Sequence, residues 1–222
     1  MKKTFSTIAA LCVAGCVWMS CSETKSTQEN EAASQTTTPT HQPVEPAVTA
    51  DTKFTSFPAF FTHHFVQKEK SVVLPTLKQL IHSDHGVYLS YKPGMSANIQ
   101  HLKSAKELLE WAPRLSASLE GLDCKIAEGE LPEFDFVTGE FAENGCFYST
   151  QKARVFSEKY ASLREEAMLE PTAEEIKQAQ KMDALITENV VITEARIGMQ
   201  FANIEEKWYL IGVDVSSFDM TL

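Results

Sequence analysis

Two runs of period two near the C-terminus constrain this chain more than any other feature. Ala195, Ile197, Met199 and Phe201 alternate with Glu194, Arg196, Gly198 and Gln200, the pattern of an extended segment with one apolar and one polar face. After the polar stretch from Asn203 to Glu206, Trp208-Tyr209-Leu210-Ile211-Gly212-Val213 returns as a second extended run. Two such runs joined by a short polar link predict an antiparallel hairpin. An isolated hairpin is marginal in water, so other segments must cover its apolar face.

The upstream sequence offers them. Phe54, Phe57, Phe60, Phe61 and Phe65 recur at helical spacing, with Pro58 tolerable in the first turn and Ser56 as the cap. A stripe of aromatics at that period reads as core before it reads as a ligand pocket. A second helix is expected from Leu74 or Pro75 to His82, broken by Gly86. Val87 to Tyr91 reads as a strand closed by the turn signal Pro93-Gly94. Ser104-Ala105-Lys106-Glu107 matches a capping box and opens a helix through Leu108, Leu109 and Trp111 that Pro113 ends. Short strands are expected around Glu133 to Val137 and Cys146 to Thr150. Phe156, Tyr160, Leu163 and Ala167 form a helical stripe, and Thr172-Ala173-Glu174-Glu175 caps a further helix reaching about Leu185. Helices and antiparallel strands without a βαβ rhythm predict an α+β fold. Its expected form is N-terminal helices packed on a curved antiparallel sheet closed by the C-terminal hairpin.

The N-terminus predicts an address. Lys2 and Lys3 precede a mostly apolar run from Phe5 to Gly15, the layout of a secretory signal. Ser6, Thr7, Gly15 and Ser20 dilute the uncharged stretch, which makes it a poor bilayer span. Val13-Ala14-Gly15-Cys16 places small residues before a cysteine, as in the lipobox of bacterial lipoproteins. Cys21, after Trp18-Met19-Ser20, is the alternative acceptor. Residues 1–15 are thus the expected signal peptide (1–20 if Cys21 is used), with lipid and possible palmitate on the new N-terminal cysteine. Residues 22–51 are Ser, Thr, Gln, Glu, Pro and Ala with hardly an apolar anchor. Such a segment buries too little surface to offset its ordering entropy, so 16–51 is the expected tether and 52–222 a single folded domain. At roughly 5–6 Å × √n, a coil of this length spans a few nanometres. The expected location is the cell envelope, facing periplasm or cell surface.

Charge narrows the partners. Without Lys2 and Lys3 the chain keeps 18 basic against 30 acidic residues, a net −12, and no basic stripe suited to nucleic acid is present. The expected partners are the membrane, through the covalent lipid, and an unidentified protein or small molecule. No Gly-x-Ser-x-Gly elbow, phosphate loop or His-Glu-x-x-His occurs, so no cofactor or metal is expected. His82, Asp84 and His85 form the one cluster with acid–base or zinc-ligand chemistry. A helix end followed by a turn accounts for the same residues. Cys124 and Cys146 are the only cysteines of the domain and a candidate disulfide in an oxidising compartment. The favoured expectation is a non-catalytic binding or assembly module. The alternative is a small enzyme with a pocket in a curved sheet, using Asp84 and His85.

Gly86-Val87-Tyr88-Leu89-Ser90-Tyr91-Lys92-Pro93-Gly94, Leu131-Pro132-Glu133-Phe134-Asp135, Gly145-Cys146-Phe147-Tyr148 and Lys207-Trp208-Tyr209-Leu210-Ile211-Gly212-Val213-Asp214 together resemble landmarks of small uncharacterised Gram-negative envelope lipoproteins. The resemblance spans 54–214 and implies a polar tether, an α+β domain and a closing Lys-Trp-Tyr-Leu strand, and it brings no assigned activity to carry over. A looser likeness is to the nuclear-transport-factor-2-like cone, a curved sheet around a helix. That fold hosts enzymes and binders alike.

Lipidation is directly testable. Cells fed a palmitate analogue should label the wild-type chain, and Cys16→Ser should lose the label while Cys21→Ser keeps it. Full labelling of Cys16→Ser would move the site to Cys21, and an unlabelled wild type would remove the anchor.

Overall fold

A computed structural model describes residues 53–92, 98–151, 156–166 and 170–216. The signal, both candidate lipid acceptors, the tether, and Pro93-Gly94 lie outside the described residues. The described residues begin with α1 (Phe57–Phe65) and α2 (Lys70–Leu80), followed by strands β1 (Val87–Tyr91) and β2 (Asn98–Leu102). Next come α3 (Ala105–Trp111), α4 (Leu115–Leu119), β3 (Ile126–Glu128), β4 (Phe134–Asp135), β5 (Glu140–Phe141) and β6 (Cys146–Ser149). It ends with α5 (Phe156–Glu166), α6 (Ala173–Leu185), β7 (Ile186–Ile192), β8 (Ile197–Ile204) and β9 (Lys207–Asp214). The fold is α+β. Seven strands form one open sheet in the order β2-β1-β9-β8-β7-β6-β3, and β4 and β5 make a separate ribbon. Most pairings are antiparallel; β1 with β9 and β3 with β6 are parallel.

The C-terminal hairpin forms as its alternation predicts, with Ile204 opposite Lys207 across a two-residue turn. Glu205 and Glu206 both take positive φ, 51° and 65°, the backbone a tight hairpin turn requires for its twist to match the strands. The hairpin occupies the middle of the sheet, because β9 also pairs with β1.

Strand alternation splits the core into two layers. Val87, Leu89, Val190, Ile192, Met199, Phe201 and Leu210 face the helices α1 to α4, meeting Phe57, Phe61, Leu77, Leu108 and Leu119. Tyr88, Ile99, Ile186, Ala202 and Ile211 face the other way and meet Phe156 and Tyr160 of α5 with Ala179 and Met182 of α6. Four of the five N-terminal phenylalanines are buried in the first layer, as core; each is worth about 1.5–3 kcal/mol of transfer free energy.

Local signals place most helix ends. Thr172 and Glu175 make the reciprocal capping box at α6. At α3, Ser104 Oγ accepts the Glu107 N–H, while the Glu107 carboxylate takes the Lys103 N–H. Ser56 occupies the N-cap of α1 but makes no side-chain cap bond; Pro58, early in the helix, removes one of the N–H groups it would serve. The second helix differs from expectation, for it starts at Lys70 and carries Pro75 inside. Burial of Val73, Leu77 and Leu80 outweighs the hydrogen bond that proline deletes. Strands β2 and β7 have no counterpart in the periodicity reading. Thr187-Glu188-Asn189 interrupts the apolar run of β7, and β2 carries only two apolar residues. Among the described residues no helix is long and apolar enough to cross a membrane.

The start of α5 is held from outside its own sequence. Asp183 of α6, 8% exposed, accepts the backbone N–H groups of Phe156 and Ser157 through its two carboxylate oxygens. A carboxylate there satisfies unpaired donors and complements the positive end of the helix dipole. Asp183→Ala should lower stability by about 1–2 kcal/mol in urea unfolding, with Asp183→Asn costing less. An unchanged midpoint in the alanine variant would remove this cap from the account.

Candidate functional site

The residues nominated by sequence fall in two places. His82, Asp84 and His85 lie in the turn between α2 and β1. The Asp84 N–H donates to His82 Nδ1 at 3.1 Å, Ser83 Oγ donates to Asp84 Oδ1 at 3.3 Å, and the Gly86 N–H donates to the His82 carbonyl at 2.8 Å. Gly86 sits at φ 68°, and a Cβ there would come within 2.3 Å of the Leu102 carbonyl oxygen, so only glycine lets the chain turn into β1. The His82 and His85 rings lie 4.7 Å apart, and His82 also meets Tyr209. His82 Nδ1 is thus engaged in the turn. No group of three or more His, Cys, Asp and Glu side chains converges as a metal site among the described residues. Cys124 and Cys146 form a disulfide with Cα atoms 5.8 Å apart. It staples the approach to β3 onto β6, beside the Ile126–Cys146 pairing.

Three further features escaped the sequence reading. Under α5, Lys159 Nζ pairs with Asp214 Oδ2 at 2.6 Å, and Asp214 is almost wholly buried. Its other oxygen accepts the Ser216 backbone N–H and hydroxyl, and that hydroxyl lies 2.9 Å from Ser90 Oγ. Ser90, Lys159 and Asp214 line, with Tyr88, Phe156 and Gln200, a cavity of about 10 Å³, room for a single water. Its polar atoms fasten α5 to the end of β9, since removing one partner of a buried pair leaves the other charge uncompensated. Nothing in the spacing of Lys159 and Asp214 announces the pair.

On the opposite face, Tyr148 Oη donates to Glu128 Oε2 at 2.8 Å, and Phe57 of α1 packs 5.3 Å from the Tyr148 ring. Half-buried Glu188 shares this neighbourhood. One of its carboxylate oxygens and the Trp208 indole nitrogen are both buried without a hydrogen-bond partner among the described residues. Burial first, and the Glu128 charge second, push the Glu188 carboxyl up to about 7; the facing Trp208 indole offsets this in part, short of a formed hydrogen bond. Tyr148 is raised to about 12, by burial and then by its bond to Glu128. A signal did exist: Glu188, Val190 and Ile192 share one strand face.

The third feature is the β4–β5 ribbon. Asp135 caps its own turn, accepting the Val137 N–H at 2.7 Å and the Thr138 N–H at 3.4 Å, while its carbonyl takes the Gly139 N–H. These bonds, the Val137 one foremost, hold its carboxyl below the usual range. At the root, Phe134 packs against Phe141, the Arg196 guanidinium sits 5.5 Å over the Phe134 ring, and Arg196 donates to the Gly139 carbonyl. The turn nevertheless leaves Phe136 67% and Val137 95% exposed. The strand expected from Glu133 to Val137 is therefore only Phe134–Asp135, paired to β5 and not to the main sheet.

The chain thus belongs to the class of layered α+β domains with a disulfide at the sheet edge and an exposed aromatic turn. Set against protein-family profiles, curated proteins and solved structures, it matches none.

Glu188 makes stability depend on pH. The folded state holds its proton to about 7, whereas the unfolded chain releases it near the ordinary 4.5. That contribution is fully present below about 4.5 and is lost as pH rises through about 7. Because the side chain is only partly buried, solvent screening reduces the loss to on the order of 1 kcal/mol. Glu188→Gln should flatten this part of the stability profile and stabilise the protein at pH 8. A parallel profile for the variant would show that the carboxyl titrates normally.

Proposed function

We propose that this chain is an exported, lipid-anchored protein of the cell envelope whose domain serves as a non-catalytic binding or assembly module. The observation that carries the reading is the turn between β4 and β5. It holds two large apolar side chains, Phe136 and Val137, in solvent on a backbone already fastened by Asp135 and Arg196. A side chain like Phe136 recovers about 1.5–3 kcal/mol when covered, and a preformed turn spends little entropy on docking. The buried carboxylates Asp183 and Asp214 and the partly exposed Lys159 are meanwhile occupied in joining helices to one another and to the sheet, an architectural use of charge. The lipobox-like Val13-Ala14-Gly15-Cys16 supports the anchor.

Replacing Phe136 with the photoreactive analogue benzoyl-phenylalanine in the full-length exported protein tests the module. Irradiation of intact cells should give a discrete adduct from position 136 and none from position 174, on the exposed face of α6. No adduct from 136, or equal labelling from both, would remove the turn as a docking element.

A further inference from the structure

We infer that the partner of the β4–β5 turn is a protein surface with an apolar pocket rimmed by lysine and arginine. This rests on the reading of the domain as a binding module and names its partner's chemistry. Between Ile126 and Gln151 the chain carries six carboxylates and no lysine or arginine. Glu130, Glu133, Glu140 and Glu143 are all exposed around the ribbon, and Asp135 sits at its turn. Glu140 lies directly across the ribbon from Asp135. Among the described residues, Arg196 lies over Phe134 and donates to Gly139, so its charge is engaged in bracing the root of the ribbon. Phe136 and Val137 therefore emerge from a segment whose own exposed charges are all carboxylates.

Charge complementarity decides among occupants. An anionic membrane leaflet attracts basic segments and repels carboxylates, so a bilayer is a poor seat for this tip. A second copy is disfavoured as well, because 30 acidic residues against 20 basic ones bring like charges together, which costs affinity. A cationic rim around an apolar pocket satisfies both features at once: the pocket takes Phe136 and Val137, and the rim pairs with the surrounding glutamates. Such an interface associates by electrostatic steering and weakens as salt shortens the Debye length.

The experiment uses the full-length anchored protein with benzoyl-phenylalanine at 136, irradiated in isolated envelopes at low and high salt. Three backgrounds are compared: wild type, Glu133→Gln with Glu140→Gln, and Glu133→Lys with Glu140→Lys. Thermal unfolding of each confirms that these exposed substitutions leave the fold intact. The expected result is a protein adduct whose yield falls at least about fivefold at high salt and in the lysine variant, with the glutamine variant between. Mass spectrometry of the adduct should place lysine or arginine beside the labelled site. A protein adduct indifferent to salt and charge would overturn this inference and leave the binding module standing. An adduct to lipid, or to a second copy of this chain, would overturn it in favour of that occupant. No adduct at 136 under any condition would defeat both.

Discussion

The last strand, β9, runs through the middle of the sheet, antiparallel to β8 on one side and parallel to β1 on the other, and both helical layers depend on it. Its register with β8 slips between Gln200 and Phe201, so Ile211 is an extra residue in the ladder, a bulge that locally bends and twists the strand. Gly212 sits there, and a Cβ in its place would fall 2.2 Å from Gln200 Oε1 and 2.4 Å from the Phe156 ring. Phe156 can reach the sheet only because that position is bare. Through this contact, α5 and α6 are seated on one face, while Leu210 and Val213 receive the N-terminal helices on the other.

Charge is distributed around that frame in two ways. Within the helix-covered faces it acts as a fastener: Asp183 holds the first turn of α5, and Asp214 holds Lys159. Each pairing joins segments distant in sequence, and each would be costly to leave half made. Glu188 differs, a partly buried carboxyl whose affinity for its proton is raised by burial first and by the Glu128 charge second. Along the β4–β5 ribbon the charge instead faces solvent beside the exposed Phe136 and Val137, the reverse of a stabilising arrangement. The disulfide between Cys124 and Cys146 lies at the near end of this acidic stretch and ties it to the sheet. The exposed turn therefore projects from an anchored edge.

Legibility followed the range of the physics. The capping box at Thr172, the phenylalanine stripe and the β8–β9 hairpin are all governed by residues within a few positions of one another, and they appear in the sequence as they do in space. The second helix misled because Pro75 resembles a start signal, whereas packing of Val73, Leu77 and Leu80 carries the helix through it. The cluster at His82 looked chemical because histidine and aspartate lay close in sequence; in space they close a turn on their own backbone. The candidate docking turn was hidden for the opposite reason, since Phe136 and Val137 read as strand residues until their exposure is known.

By itself the sequence determined the α+β class, the hairpin and most helix starts, because periodicity and caps act locally. Only the tertiary structure decided that β9 lies in the middle of the sheet, that Lys159 meets Asp214, that Asp183 caps a helix not its own, and that Phe136 and Val137 are left in water. Those outcomes turn on which distant segments compete for the same buried surface, and the free energy of burial depends on the finished packing and not on any one segment.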